Sequence, residues 1–239
     1  MFRYALPFLF ALATIPRHAV AAELGSCSAP EYEAMKIADS GSFDPSQVKG
    51  AYVLVMGKGK GAESRWGHAA LMLSTTDKLP TPENILADQG KNFHVFDPGA
   101  KYDTNDSLLT YFIRGIGVFP YPLRVTHAQL KDYAKLYLDK DRDVRPMRLK
   151  ISSDKPKLLE LAQRMKKNLD SGGVTDRNFY YAWFNCAAWS SRETKKASGA
   201  RYHSPYGSIP IKLPGVLDDN KLIDWTTLIQ PGALSVPAR

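Results

Sequence analysis

Two stretches decide the fold class: Ala51-Tyr-Val-Leu-Val-Met56, set between Gly50 and Gly57, and Gly67-His-Ala-Ala-Leu-Met-Leu73. Each is a nearly uninterrupted apolar run of strand length that starts at a glycine, the pattern of a strand covered on both faces. The connection between them carries Gly57-Lys-Gly-Lys-Gly61. It lacks the Gly-Lys-Ser/Thr ending and the glycine spacing of a nucleotide fingerprint, so it reads as a basic loop.

Working outward, residues 93–97 read as a third strand, ended by Pro98-Gly99, and residues 105–113 as a short helix. A strand over 118–126 contains Pro120 and Pro122, which predicts a place at a sheet edge. A helix is expected over 128–138 and a strand over 146–152, where Met147, Leu149 and Ile151 alternate. Leu158, Leu159, Leu161, Ala162, Met165 and Leu169 repeat at helical spacing, and Gly172-Gly173 stops that helix. Upstream, residues 30–40 allow a further helix. The tail 202–239 is rich in Pro and Gly and reads as an irregular wrap anchored by Ile223, Trp225, Leu228 and Ile229. Without internal repeats or linkers, the expected architecture is a single α+β domain over 23–239.

Of the 239 residues 44% are hydrophobic and 23% charged, which excludes disordered, collagenous and disulfide-dense classes. The net charge of +8 is spread over lysines that read as solvated helix faces. It suits an anionic envelope surface and peripheral membrane contact, and it falls short of a nucleic-acid partner. Residues 1–22 carry Arg3, an apolar run and Ala19-Val-Ala-Ala22, the pattern of a cleaved secretory signal peptide, so a periplasmic or secreted location is expected. No later run approaches the roughly 18 apolar residues of a membrane span. Leu24-Gly-Ser-Cys27 resembles a lipidation box, but Arg17, His18 and Glu23 separate it from the apolar run, and cleavage near Ala21 or Ala22 is favoured.

Cys27 and Cys186 are the only cysteines. In an oxidising compartment they admit one disulfide, or a reactive thiol at Cys186. Asn185 is a natural N-cap, which places Cys186 in the first turn of a helix running to about Ala197. Unpaired N–H groups and the positive end of the helix dipole favour a thiolate there. A thiolate nucleophile needs a base of suitable pKa, and His68, directly after Gly67, is the best candidate. The next strand offers His94 and Asp97 to orient the imidazole. They are three apart in a period-two element and face opposite ways, so only one can serve. His127 and His203 read as surface or loop residues. No His-Glu-x-x-His, Cys-x-x-Cys or acidic calcium loop is present, so neither metal nor cofactor is implied.

The order of the motifs Arg65-Trp-Gly-His-Ala-Ala-Leu-Met-Leu73, Val95-Phe-Asp-Pro-Gly99, Phe112-Ile-Arg-Gly115 and Tyr181-Ala-Trp-Phe-Asn-Cys186 carries a resemblance. Over about residues 50–198 the chain resembles the family built on the N-terminal periplasmic domain of the bacterial lipoprotein intramolecular transacylase. That family is similar to papain-like and NlpC-like thiol enzymes in circularly permuted order, with the histidine strand ahead of the cysteine helix. The resemblance implies an antiparallel sheet packed against helices, with Cys186 as nucleophile and His68 as base. Asn185, Tyr181 and Trp66 are the expected substrate-binding residues, with Tyr180 and Trp183 near the groove. Phe184 stands where family members often carry a second asparagine. The implied activity is acyl transfer or hydrolysis at an amide or ester of a lipoprotein, lipid or peptidoglycan peptide, through an acyl-cysteine. A non-catalytic envelope binding module is the competing class.

Overall fold

In the computed structural model, which describes residues 43–59, 66–88, 91–100, 121–179, 185–202 and 209–234, the two apolar runs form β1 (Gly50–Met56) and β2 (His68–Ser74). Both are buried along their whole length and pair antiparallel, with Ala51 opposite Leu73 and Met56 opposite His68. The other strands are β3 (Phe93–Ala100), β4 (Tyr121–Gln129), β5 (Val144–Leu149), β6 (Val174–Phe179) and β7 (Ile223–Thr226). They join one antiparallel sheet in the order β6-β4-β3-β2-β1-β5-β7. The helices are α1 (Pro82–Ala87), α2 (Leu130–Leu138), α3 (Lys155–Asp170), α4 (Cys186–Ser198) and α5 (Leu213–Asp219).

Alternation along β1 explains why both faces of the sheet are covered. Ala51, Val53 and Val55 pack in one cluster with Leu161 and Met165 of α3, Trp189 of α4 and Leu217 of α5. Tyr52, Leu54 and Met56 pack in a second cluster with Ile85 of α1 and Leu130, Tyr133 and Ala134 of α2. The fold is therefore α+β, an antiparallel sheet between two helical layers.

Several expectations are corrected. β4 is not an edge strand, because β3 lies on one side of it and β6 on the other. A register shift between Pro122 and Arg124 absorbs the missing proline donor. Val174–Phe179, to which the sequence reading assigns no element, forms a strand although Asp176 and Asn178 are poor strand formers; pairing with β4 overrides that propensity. β3 continues through Pro98-Gly99 to Ala100, held there by β4 alone, because its pairing with β2 ends at Phe96. β4 runs to Gln129, so α2 begins only at Leu130. The fifth strand stops at Leu149, and a 3-10 turn (Lys150–Ser153) carries Ile151 into the core.

The tail is more regular than a wrap: α5 buries Leu213, Val216 and Leu217, and β7 pairs with β5 and covers its outer edge. Ile229 is fully buried, Ile223 and Trp225 are half-buried, and Leu228 is exposed rather than an anchor. The expected helices at 30–40 and 105–113 and the leader lie outside the described residues.

Asp154 caps α3 by accepting from the Lys157 N–H at 3.2 Å, and Pro156 suits the first turn. At the other end the N–H of Gly172 reaches Leu169 and that of Gly173 reaches Asn168, each at 2.8 Å. Both glycines are left-handed, with φ of +71° and +77°. A Cβ on Gly172 would meet nothing within 4 Å, whereas one on Gly173 would stand 2.4 Å from the carbonyl oxygen of Val125. Gly172→Ala is expected to cost about 1 kcal/mol, and Gly173→Ala about 2 kcal/mol or more, because backbone must also move. Urea denaturation ranks the two; equal losses would show that the close approach to β4 imposes no constraint.

Candidate active site

β2 and β3 are paired from Ser74 opposite Phe93 to Leu71 opposite Phe96, where the ladder ends. His68 and Asp97 lie just beyond that point. By alternation His68 shares a face with Ala70 and Met72, and Asp97 shares the same face with Phe93 and Val95. The two side chains meet there, His68 Nε2 to Asp97 Oδ1 at 2.5 Å, both almost completely buried. Gly67 ahead of the histidine has φ +76°, and a Cβ on it would stand 2.6 Å from the carbonyl oxygen of Met56 and 2.7 Å from Ile211 Cγ2. Only glycine lets the chain enter β2 this close to β1.

Cys186 arrives from α4, which packs against β2 and β3. Asn185 is its N-cap: the N–H groups of Ala187 and Ala188 donate to Asn185 Oδ1 at 3.1 and 3.2 Å. The helix runs Cys186–Ser198, as the sequence leads one to expect. Its other end is tied to α3 through Glu193, a buried carboxylate that accepts from Arg164 Nε at 3.1 Å and Lys196 Nζ at 2.8 Å. The sulfur and His68 are hydrogen-bonded. The side chain of Cys186 is buried. Cys27 lies outside the described residues.

The imidazole thus faces a sulfur and a carboxylate together. Burial pushes its pKa down, but the charge of Asp97, the charge of Cys186 and hydrogen bonds to both outweigh this and raise it from 6.5 to about 10. A ring in this position holds a proton firmly beside the sulfur. Tyr137 of α2 stacks on the same ring, centroids 6.0 Å apart and planes 11° apart. Sequence reading assigned Tyr137 to a helix but gave it no part in the site; its spacing of four from Tyr133 was the available signal.

His94 lies on the opposite face of β3, as alternation requires, and makes no part of this arrangement. Its Nδ1 is 3.1 Å from Nε2 of His127, the two rings stack, and Phe43 and Phe96 pack around them. His127 is therefore core rather than surface. It continues the buried alternation of Leu123 and Val125 along β4, and β4 extends far enough to include it. Trp66, next to Gly67 and two residues before His68, is 59% exposed. Tyr180, Tyr181, Trp183 and His203 lie outside the described residues. Among the described residues no group of three or more His, Cys, Asp or Glu is placed to hold a metal ion, and no helix is long and apolar enough to cross a membrane.

Burial pushes the pKa of His127 down from 6.5 to about 4, with repulsion from His94 adding to it. Burial lowers His94 as well. The unfolded chain therefore binds more protons than the folded one between these two values, and stability falls as pH falls through that window. His127 alone is expected to remove up to about 3 kcal/mol by the bottom of it. Urea midpoints should drop between about pH 7 and about pH 4.5, and His127→Leu should flatten that drop. An unchanged slope in the variant would place the acid sensitivity elsewhere.

Neither the curated proteins nor the solved structures contain a match to the chain. A family model does match, over residues 36–198, which include β1 through α4 and with them His68, Asp97 and Cys186. The chain belongs to the family of the Lnb N-terminal periplasmic domain.

Proposed function

We propose that the chain is a thiol-dependent enzyme of the cell envelope that transfers or hydrolyses the acyl group of an amide or ester in a lipoprotein, lipid or peptidoglycan peptide. The observation that carries this reading is the single imidazole set between a carboxylate and a sulfur. Its fold is read as the circularly permuted papain-like arrangement, in keeping with a histidine strand that precedes the cysteine helix and a helix packed on that strand and its neighbour.

Cys186 is the nucleophile, His68 the proton carrier and Asp97 the orienting group; His94, turned to the other face, takes no role. With Nε2 on Asp97, Nδ1 is the nitrogen that serves the sulfur. The thiolate attacks the acyl carbonyl, a C–S bond forms, and the carbonyl π electrons move to oxygen. The capping bonds take the N–H groups of Ala187 and Ala188, and the backbone N–H of Cys186 is assigned to the oxyanion. One such donor is worth about 2.7 to 4 kcal/mol in comparable sites. As the oxyanion collapses the bond to the leaving amine or alcohol breaks, and the imidazolium supplies its proton. Water or an acceptor amine then attacks the thioester, His68 takes its proton, and the thiolate is regenerated. Asn185 acts by fixing the helix start, and Trp66 offers an apolar rim to the acyl chain or its carrier.

The low exposure of Cys186, 3%, favours a second reading in which the fold is retained for binding and the thiol is merely structural. Alkylation of the purified protein by iodoacetamide, in a Cys27→Ser background and across pH, separates the two. For the enzyme, His68→Ala is expected to slow labelling of Cys186 at neutral pH by about tenfold or more, because an unassisted thiol is mostly protonated there. Asp97→Asn should give an intermediate loss, and Cys186→Ala should abolish any hydrolase or transfer activity on envelope substrates. Equal labelling with and without His68 would support the binding module instead.

A further inference from the structure

The side of His68 turned to α2 carries a structure that the acyl-transfer reading does not use. Arg142 follows α2 and folds back over it. Its backbone N–H donates to the carbonyl of Tyr137 at 3.0 Å, and its guanidinium carbon stands 4.8 Å from the centroid of the Tyr137 ring. Its Nε donates to the carbonyl of Gly57 at 2.8 Å. Gly57 directly follows Met56, the residue paired with His68. Arg142 therefore links the ring stacked on His68 to the end of the strand beside His68.

Arg142 is 5% exposed, its Nη2 is buried without a hydrogen-bond partner, and none of the ion pairs among the described residues includes it. The carboxylate at this corner, among the described residues, is that of Asp143, which lies against Gly57 but forms no ion pair with Arg142, and a buried cation outside any ion pair is costly to keep, so packing alone is a poor account of it. Among the described residues, the groups placed against His68 include Asp97 from β3, Cys186 from α4 and Tyr137 from α2, with Arg142 one ring further out. Asp97 and a Cys186 thiolate both favour the imidazolium. A proton gripped by two anions is hard to hand on, and a cation beyond the Tyr137 ring would work against that grip.

We propose that Tyr137 and Arg142 are positioning residues for His68: Tyr137 sets the plane of the imidazole, and Arg142 clamps Tyr137 to the end of β1 and opposes the proton on the ring. This inference rests on the reading of Cys186 and His68 as a working pair. A unit charge roughly 10 Å from an imidazole, at an effective dielectric constant of about 20, moves its midpoint by about one pH unit.

The test follows the His68 imidazole by NMR through a pH titration of the full chain and measures iodoacetamide alkylation of Cys186 in parallel. Arg142→Met is expected to raise the His68 midpoint by about one pH unit, and Arg142→Lys, which keeps the charge, to leave it close to wild type. Tyr137→Leu should slow alkylation at neutral pH by about tenfold, and Tyr137→Phe, which keeps the ring, should not. An unmoved midpoint in Arg142→Met, or wild-type alkylation in Tyr137→Leu, overturns the proposal. Should Arg142→Met fail to fold, Arg142→Gln and the Tyr137 pair carry the test. If His68→Ala labels as fast as wild type, the acyl-transfer reading itself fails; if His68→Ala is slow while the Tyr137 and Arg142 variants match wild type, only the brace fails.

Discussion

The contact between His68 and Asp97 is the constraint around which the rest of the site is arranged. Asp97 is 3% exposed, and a carboxylate taken that far from water must either give up its charge or find a cation. His68 answers that need by staying protonated, which in turn holds a positive charge against the sulfur of Cys186. The contact also sits where the β2–β3 ladder ends. Past Phe96 the two strands share no further ladder hydrogen bonds, and the side-chain pair ties them together there.

For a sulfur to reach this pair, α4 must be held along its whole length, because a small rotation about its far end would move Cys186 by several ångströms. The sequence spends polar residues on that task. Asn185 satisfies two N–H groups at the start, and Glu193 is shared between Arg164 and Lys196. The hydroxyls of Ser191 and Tyr202 lie 2.8 Å apart beyond it. Ser190, Ser191, Glu193 and Thr194 are all buried. Ser191 and Glu193 bond outside the helix, Thr194 donates within it to the Ser190 carbonyl, and Ala187, Trp189 and Ala197 pack in the core, so apolar contact seats the helix and a few specific bonds fix its rotation.

What the sequence made legible were the features with local causes. The glycine-bounded apolar runs declared β1 and β2, Asn185 declared the start of α4, and Gly172-Gly173 declared the end of α3. The pairing of Cys186 with His68 came from a family resemblance carried by motif order, and alternation alone put Asp97 and His94 on opposite faces. What stayed hidden depended on partners far along the chain. The polar run Val174–Phe179 becomes a strand because β4 offers an open edge, and Pro122 is tolerated because a register shift accommodates it. Residues 223–226 become β7 for the same reason at the other edge of the sheet. The choice of Asp97 over His94 required knowing which face of β3 meets His68, and no local signal states that.

The two faces of β3 show how little sequence distance separates opposite electrostatic outcomes. Three residues apart, His94 and Asp97 each meet a buried histidine from a neighbouring strand. On one face the partner is a carboxylate, and His68 is driven to hold its proton. On the other the partner is a second imidazole among phenylalanines, and both His94 and His127 are driven to give theirs up. Burial is the same in kind on both sides, so it does not decide the charge; the identity of the facing group does. A neutral, aromatic, tightly stacked pair behind the strand gives β3 a rigid back, while the pair in front keeps its charge. That division lets a single short strand serve as both core and candidate active site.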